Sequence, residues 1–297
     1  MQGVKTLKKL QTGLAGYSFI FPATALVTIF LIYPIAFVLY VSFHKWGILG
    51  EPQFVGFDNY VAIFKDDLFW KSVLNTAYYI VLAVPTQLGL GLLMAVLINQ
   101  KVFARDVFRT IFFIPLAVSF VAAGIIFTWM LTTTPMVGFL PDLFNKLGLS
   151  FPLWQTQHPY WAMVMIALMN TWKSAGYAMV IYLAGLQGIN PDYYEAASID
   201  GVKNEFQMFR HITWPLLAPT TFLLTVSTII FTVRGFEPIF VMTQGGPAGA
   251  TTTLVYYIFK KFPNLMGISS AASTFLLVAI VLLTVAQYVA NRQRETN

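Results

Sequence analysis

Residues 72–98 read SVLNTAYYIVLAVPTQLGLGLLMAVLI, a run of 27 residues without a charged side chain. At about 1.5 Å per residue, a helix of this length can cross the ~30 Å hydrocarbon layer of a bilayer. Lipid offers the backbone no hydrogen-bond partner, so a segment that spans it has to be helical. The stretch therefore predicts a transmembrane helix from Ser72 to Ile98.

Five further stretches are apolar over a similar length: Tyr17–Phe43, Thr110–Leu131, Tyr160–Leu186, Trp214–Phe236 and Ser269–Ala290. The composition agrees, because 57% of the residues are hydrophobic and only 10% are charged, against roughly 45–50% and 25% in soluble domains. The predicted fold class is an all-α integral membrane protein with six transmembrane helices. Prolines 22, 34, 85 and 115 lie inside predicted spans, where they should kink or locally open the helix.

The distribution of cations predicts the orientation of the chain. Segments 1–16, 99–109, 187–213 and 291–297 hold ten Lys or Arg in 61 residues, whereas segments 44–71, 132–159 and 237–269 hold six in 89. By the positive-inside rule the first set is cytoplasmic, which places both termini inside. The predicted regions are a cytoplasmic N-terminus (1–16), a first span (17–43), a five-span core (72–290) and a cytoplasmic tail (291–297). Because the cations of this +6 chain are spread over short loops and tails, nucleic acid is excluded as a partner.

The loop 190–215 predicts a compact helical hairpin. It begins Asn190-Pro191-Asp192-Tyr193-Tyr194-Glu195-Ala196-Ala197-Ser198-Ile199-Asp200-Gly201. Asn190 suits an N-cap, Pro191 the first helical position, and Gly201 the left-handed residue that ends a helix. A second helix is predicted over 204–212, with its apolar residues on one face. Two central alanines permit close approach of another protein, and Glu195 can pair with a basic group. From these residues alone, a plain inner loop without a partner remains the alternative.

The same loop is similar to the signature loop of binding-protein-dependent ABC importer permeases. The resemblance rests on Glu195-Ala196-Ala197, then three residues and Gly201, and then Ile212-Thr213-Trp214-Pro215. Ten residues separate Gly201 from Ile212 where the family pattern usually has nine, and Trp214 stands where leucine is usual. These two departures concern the orientation of the second hairpin helix.

Two further motifs resemble the carbohydrate-uptake branch of that family, which contains the larger maltose-transporter permease and related sugar and glycerol-phosphate permeases. One is Gln244-Gly245-Gly246-Pro247 followed by Ala250-Thr251-Thr252-Thr253-Leu254. The other is Asn170-Thr171-Trp172, placed 23 residues before Glu195-Ala196-Ala197. Three motifs in order, each in the matching part of a six-span chain, make the resemblance specific.

The resemblance implies a type I ABC importer permease (MetI-like) fold in a bacterial or archaeal cell inner membrane. It implies that 190–215 is a coupling hairpin that docks on an ATP-binding cassette ATPase dimer, through residues Tyr194, Glu195, Ala196, Ala197, Asp200 and Gly201. The implied partners are a second homologous permease subunit, that ATPase dimer and an extracytoplasmic solute-binding protein, within the lipid bilayer. This chain would bind no cofactor, since ATP and Mg would be used by the ATPase subunits, and its cargo would be a sugar.

The fourth predicted span carries polar and aromatic residues near mid-membrane: Asn170, Trp172, Lys173, Ser174 and Tyr177. At 100° per residue, Asn170, Ser174 and Tyr177 share one face, and Trp172 and Lys173 flank it. Amides suit sugar hydroxyls, and aromatic rings suit the C–H faces of sugars. Similarity to the maltose permease adds four candidate solute-binding residues, Thr228, Thr232, Leu116 and Phe120, the last two able to contact a solute only by packing.

Two intramembrane or span-end charges have alternative interpretations. A charge as deep as Lys173 is costly and usually faces a cavity or a partner. Lys173 either binds an anionic group of the solute, such as a phosphate, or hydrogen-bonds sugar hydroxyls or helix carbonyls across the subunit interface. Arg234 either extends to the membrane interface or pairs with Glu237.

Other chemistries find no support in the sequence. It has no Gly-Lys-Ser or Gly-Lys-Thr, hence no Walker A phosphate loop, so ATP must be hydrolysed by a partner. It has no cysteine, and its three histidines lack metal-ligand spacing, so no metal site and no enzyme activity are predicted. An ion-coupled secondary transporter usually carries Asp or Glu within its spans, whereas all twelve acidic residues here lie in loops, tails or span ends. An importer for glycerol phosphate or another anionic polyol derivative stays open.

Overall fold

The computed structural model describes residues 19–100, 105–133, 138–155, 159–202 and 204–295. The predicted N-terminal segment 1–16 lies outside the described residues. Within the described residues, thirteen helices and two short strands follow in chain order: α1 Phe19–Ser42, β1 His44–Lys45, β2 Gln53–Phe54, α2 Asp58–Lys65, α3 Asp67–Asn99, α4 Arg105–Ala117, α5 Phe120–Leu131, α6 Phe139–Lys146, α7 Pro159–Gln187, α8 Asp192–Ile199, α9 Glu205–Leu216, α10 Ala218–Val233, α11 Glu237–Met242, α12 Leu254–Lys261 and α13 Met266–Glu295. The chain is thus mostly helical as predicted, with one antiparallel two-residue strand pair that the all-α prediction lacked.

Three helices are long and apolar enough to cross a membrane by themselves: Phe19–Ser42, Asp67–Asn99 and Met266–Ala290. Two further segments are long and apolar enough only when two helices on either side of a bend are taken together. These are Arg105–Ala117 with Phe120–Leu131, whose axes differ by 97°, and Glu205–Leu216 with Ala218–Val233, whose axes differ by 65°. The remaining predicted span, Tyr160–Leu186, lies in the 29-residue helix α7. It is less apolar because it carries buried polar side chains, among them Asn170, Thr171 and Lys173.

The bend within Thr110–Leu131 agrees with the opening expected at Pro115, whereas the bend at Leu217 within Trp214–Phe236 was not predicted. In the first pair, Pro115 lacks the amide hydrogen that would extend the ladder, and Ser119 takes an extended conformation and caps α5 by accepting the Ala122 N–H at 3.1 Å. In the second pair, Pro219 sits in the first turn of α10, and its ring is incompatible with a helix running through Leu217.

The other intramembrane prolines behave differently. The turn Thr28–Ile32 just before Pro34 is π-helical, which is one way for a helix to relieve the crowding of a proline ring. Helix α3 continues through Pro85 without a break. The tail predicted over 291–297 continues α13 as helix up to Glu295.

The described residues form two compact units. The first comprises the described residues up to Lys65 and Ile258–Leu277. Within it, Asn59 donates to the backbone oxygens of Ser42 and His44 at 2.9 and 3.0 Å, which holds α2 against the end of α1. Many large apolar side chains of α1 are exposed, as a lipid-facing helix requires.

The second unit comprises Asp66–Tyr257 and the described residues from Val278 onward. Its centre is the packing of α3 against α7. The two helices approach each other closely at Gly91, where an added Cβ would lie 2.6 Å from Ala178 Cβ. Small residues at such a crossing let two membrane helices approach closely. One buried cluster lies around Tyr79, Trp154 and Met163, and another around Met179 and Leu217.

The loop that contains the Gln244-Gly245-Gly246-Pro247 motif is fastened to the start of α3. Lys71 Nζ donates to the Ala248 carbonyl at 2.6 Å, and Asn75 Nδ2 donates to the carbonyls of Gly249 and Thr252 at 2.9 and 3.0 Å. Beside it, the Tyr257 hydroxyl donates to Asp66 Oδ2 at 2.8 Å, and burial together with this carboxylate raises the pKa of Tyr257 above its ordinary value.

Asn75→Asp should destabilise this loop. A carboxylate cannot donate to the two carbonyls and repels them, so we expect a loss of about 2–3 kcal/mol and faster proteolysis within residues 244–253. Thermal unfolding and limited proteolysis of the purified protein measure both effects. Asn145→Asp, on the exposed surface of α6, is the matched control and should change stability by less than about 1 kcal/mol. Equal behaviour of the two variants would show that Asn75 does not hold the loop.

Candidate functional site

A cavity of about 420 Å³ opens beside the middle of α7. Seven of the nine predicted solute-binding residues line it: Leu116, Phe120, Asn170, Lys173, Ser174, Tyr177 and Thr232. The four from α7 are spaced by three, one and three residues, so they form one stripe along the helix. The stripe includes Lys173, which the sequence placed on its flank.

The two remaining predicted residues lie elsewhere. Trp172 is not among the lining residues, and its ring packs at 5.3 Å from the ring centroid of Phe127. Thr228 is buried one turn before Thr232, and its hydroxyl has no hydrogen-bond partner among the described residues. Helical spacing had placed Trp172 on the flank of the polar face, and its ring turns to an apolar neighbour on α5.

The cavity also contains residues outside the nine predicted solute-binding positions. Gln87 lines it from α3 and donates through Nε2 to the Ser174 carbonyl at 3.3 Å. Phe231, Arg234 and Glu237 line it from the end of α10 and the start of α11. In the described part of the chain Arg234 and Glu237 form no ion pair with each other. The sequence signal for these three residues was their position at the end of a predicted span that carries polar residues. Residues at the end of a helix can form the end wall of a cavity that lies along it.

Lys173 is the most buried charged side chain of the cavity wall, with 5% of its surface exposed. Its ammonium donates to the Leu116 carbonyl at 2.9 Å and lies 4.5 Å above the centroid of the Phe120 ring. Leu116 belongs to the last turn of α4, whose carbonyls have no helical N–H partner. The helix carbonyl that Lys173 contacts belongs to this chain, whereas the sequence prediction had placed such a carbonyl across the subunit interface.

Helices α4 and α7 meet close to this lysine. An added Cβ at Gly176 would overlap the Phe112 backbone oxygen and would lie 3.2 Å from the Phe113 Cα. No side chain fits between two backbones that approach so closely. Gly176 therefore permits the approach that brings Lys173 to the end of α4.

The segment 190–215 folds into two helices, as predicted. Asn190 Oδ1 accepts the Asp192 N–H at 3.1 Å, and Gly201 ends the first helix with φ of +91°. Asn204 caps the second helix by accepting the Phe206 N–H at 2.9 Å. The turn Phe209–Thr213 of α9 is π-helical, with the Trp214 N–H bonded to the Phe209 oxygen.

The six residues predicted to contact an ATPase divide between two sides of this hairpin. Glu195, Ala196, Asp200 and Gly201 are exposed. Ala197 is buried and Tyr194 is half-buried, with its hydroxyl 3.2 Å from Thr213 Oγ1. The Tyr194 hydroxyl thereby joins α8 to α9, and a cavity of about 520 Å³ lies between the hairpin and the ends of α3 and α7.

Sequence reasoning missed the apolar part of the exposed side. Tyr193 is 55% exposed and Ile199 is 86% exposed. The sequence signal for this exposed side was the presence of large apolar side chains on a short capped helix outside the predicted spans. The exposed carboxylates of Glu195 and Asp200 belong to the same short element.

Residues 87–295 match the family described as "Binding-protein-dependent transport system inner membrane component". The trehalose/maltose transport system permease protein MalF of Thermococcus litoralis is 33% identical over 282 residues, which cover 94% of each chain. The sn-glycerol-3-phosphate transport system permease protein UgpA of Agrobacterium fabrum is 35% identical over 277 residues, which cover 92% of each chain.

The fold is also similar to a chain of a solved bacterial alginate ABC transporter in complex with an alginate pentasaccharide-bound periplasmic protein. The TM-score is 0.82 at 26% identity, over 96% of both chains. The predicted resemblance to sugar and glycerol-phosphate permeases is thereby confirmed.

Proposed function

The chain belongs to the inner membrane components of binding-protein-dependent transport systems, and from this premise we propose that it carries a sugar or oligosaccharide across the membrane. It is a non-catalytic permease subunit of an ATP-binding cassette importer. It acts with a second permease, with ATPase subunits that use the ATP, and with an external binding protein. The family match over 87–295, together with relatives similar along almost the whole chain, is the observation that carries this conclusion.

The proposed topology has six spans, both termini in the cytoplasm and the membrane of a bacterial or archaeal cell. The five spans that length and composition support are joined by α7 as the sixth. The polar side chains of α7 are compatible with a membrane span, because they line a cavity or pack in the protein interior and do not face lipid. The cation count of the loops supports this orientation. The regions 17–43 and 72–290, with the hairpin between α7 and α10, then form the first span and the core.

In this topology the hairpin of α8 and α9 is the coupling element that docks on the ATPase. Tyr193, Ala196 and Ile199 offer an exposed surface, and Glu195 can pair with a cationic side chain of the partner. Movement of α8 would be passed to the fifth span, because Tyr194 is bonded to Thr213 at its start. The π-helical turn Phe209–Thr213 is a suitable place for the additional residue between Gly201 and Ile212, since a π turn holds one residue more than an α turn.

The cavity beside α7 is the proposed solute passage. Asn170, Ser174 and Tyr177 offer hydrogen bonds to hydroxyl groups, and Phe120 and Tyr177 offer ring faces to C–H groups. ATP-driven closure of the ATPase subunits would move the hairpins and switch the cavity between the two sides of the membrane, a change between two packed states. A glycerol-phosphate cargo is the second candidate, favoured by the similarity to UgpA and by the cations Lys173 and Arg234 in the cavity wall.

Asn170→Leu should impair uptake while the transporter still assembles. The change keeps the volume but removes the amide from the cavity, so we expect uptake to fall about tenfold. The measurement is ATP-dependent uptake into proteoliposomes that contain both permeases and the ATPase, with the external binding protein and radiolabelled maltose, trehalose or sn-glycerol 3-phosphate.

Leu168→Ala, on the exposed side of the same helix, is the control and should keep normal uptake. Unchanged uptake in Asn170→Leu would remove the cavity from the solute path. Uptake of none of these solutes by the parent chain would refute the cargo assignment.

A further inference from the structure

We propose that Lys173 is a positioning residue that links occupancy of the cavity to the break between α4 and α5. The inference rests on the proposed transport function and adds a specific device to it. Lys173 stands on α7, but both of its close contacts, the Leu116 carbonyl and the Phe120 ring, lie at the break. The Lys173 side chain therefore contacts both halves of the third span, so its contacts depend on the position of each half.

The break needs such a contact because it leaves backbone acceptors without partners. Helix α4 ends at Ala117, and the extended Ser119, with ψ of 150°, prevents its ladder from continuing into α5. The carbonyl of Leu116 lies at the negative end of the α4 dipole. The ammonium of Lys173 supplies both the missing donor and the compensating charge.

The same ammonium is available to a solute. It has three N–H donors, and the Leu116 carbonyl uses one. In the described part of the chain no carboxylate forms an ion pair with Lys173. Because the lysine is part of the cavity wall, a hydroxyl, carboxylate or phosphate oxygen of a solute can compete with the Leu116 carbonyl for this cation. Binding of the solute would then loosen the hold on the break.

The contacts on either side of the break restrict any movement that follows to the break itself. One turn from Lys173, Gly176 holds the Phe112 backbone so closely that α4 cannot approach α7 further at that level. Helix α5 is restarted by its own Ser119 cap. The segment 116–120, between these two fixed points, is where a change of angle between the halves can occur, and Lys173 is its contact from α7.

The test uses the absence of cysteine from the sequence. A Val118→Cys substitution places one thiol in the break, and its alkylation rate by a maleimide is measured in the assembled transporter in nanodiscs. Three conditions are compared: no addition, Mg with a non-hydrolysable ATP analogue, and binding protein with maltose, trehalose or sn-glycerol 3-phosphate. Lys173→Met, Lys173→Arg and Phe120→Leu are introduced into this background, with Lys146→Met on exposed α6 as the control.

In the parent we expect both nucleotide and one loaded binding protein to change the rate about threefold or more. In Lys173→Met, the alkylation rate measured with no addition should shift at least halfway towards the rate that the parent shows with the ATP analogue. Lys173→Arg, which keeps a cationic donor, should behave as the parent, and Phe120→Leu should shift the rate less but in the same direction. Lys146→Met should leave all rates unchanged.

A resting rate in both Lys173→Met and Phe120→Leu that equals the parent rate would overturn the inference. A lysine that only bound solute would give that result, because its loss affects the loaded condition alone. If Lys173→Met does not assemble, Phe120→Leu alone decides the question. If none of the named solutes alters the parent rate, the cargo assignment itself fails, an outcome distinct from an unshifted resting rate.

Discussion

Glu195→Lys is expected to abolish stimulation of the ATPase by the loaded binding protein, while the permease still inserts and assembles. Glu195 is exposed on α8, and reversal of its charge would place a cation against the basic group that we propose on the partner. The substitution touches no buried residue of the hairpin, so the fold should persist. We expect the ratio of stimulated to basal ATPase activity to fall about tenfold or more in the reconstituted complex.

Glu51→Lys is the matched control for this charge reversal. Glu51 is exposed in the loop between β1 and β2, which the proposed topology places on the opposite side of the membrane. It should keep the parent stimulation. Gly201→Val supplies an independent arm, because φ of +91° disfavours any Cβ although no atom lies within 4 Å of it. If Glu195→Lys and Gly201→Val both retain normal stimulation, the hairpin is not the coupling element.

Gly176→Ala should produce the largest loss of stability of any single added methyl group in the second unit. The new Cβ would overlap the Phe112 backbone oxygen, which cannot rotate away, so α4 and α7 would have to separate. Overpacking of this kind costs about 1–3 kcal/mol or more. We expect a lower unfolding temperature of the detergent-solubilised complex, together with loss of uptake, because the separation also withdraws Leu116 from Lys173.

Gly89→Ala is the control for that substitution. Gly89 also lies inside a long helix, but apart from the neighbouring backbone of that helix no heavy atom lies within 4 Å of the position that its new methyl group would take. Alanine should leave the complex unchanged or stabilise it by up to about 1 kcal/mol, because glycine is the poorer helix former. Similar unfolding temperatures for Gly89→Ala and Gly176→Ala would mean that α4 and α7 do not pack closely at Gly176.

The parts of this fold that depend on local chemistry were predictable from the sequence. The caps of α8 were predictable, because Asn190 and Gly201 act on neighbouring backbone groups. The position of each long apolar helix was predictable for a similar reason, since lipid imposes one length on all of them. Pro115 indicated that the third span would open, but the exact place of each break was not predictable, because hydropathy averages over a window and cannot register one extended residue such as Ser119.

The candidate site shows the same division. Helical spacing placed Asn170, Ser174 and Tyr177 on one face, and all three line the cavity, as do Leu116, Phe120 and Thr232, which similarity added. It could not decide between Trp172 and Lys173, which lie on either side of that face. Their directions depend on neighbours distant in sequence, the Phe127 ring for one and the broken end of α4 for the other.

Cross-linking from α8 tests most directly whether the hairpin docks on the ATPase. Because the chain has no native cysteine, Ala196→Cys carries a single thiol on the exposed side of the hairpin, and Ala250→Cys carries one in the loop bound to the start of α3. Each variant is labelled with a photoactivatable maleimide in the assembled transporter, and the adducts are identified by mass spectrometry. We expect the Ala196→Cys variant to form an adduct with the ATPase subunit and the Ala250→Cys variant to form none. An ATPase adduct in the Ala250→Cys variant, or none in the Ala196→Cys variant when assembly is complete, would contradict the proposed docking.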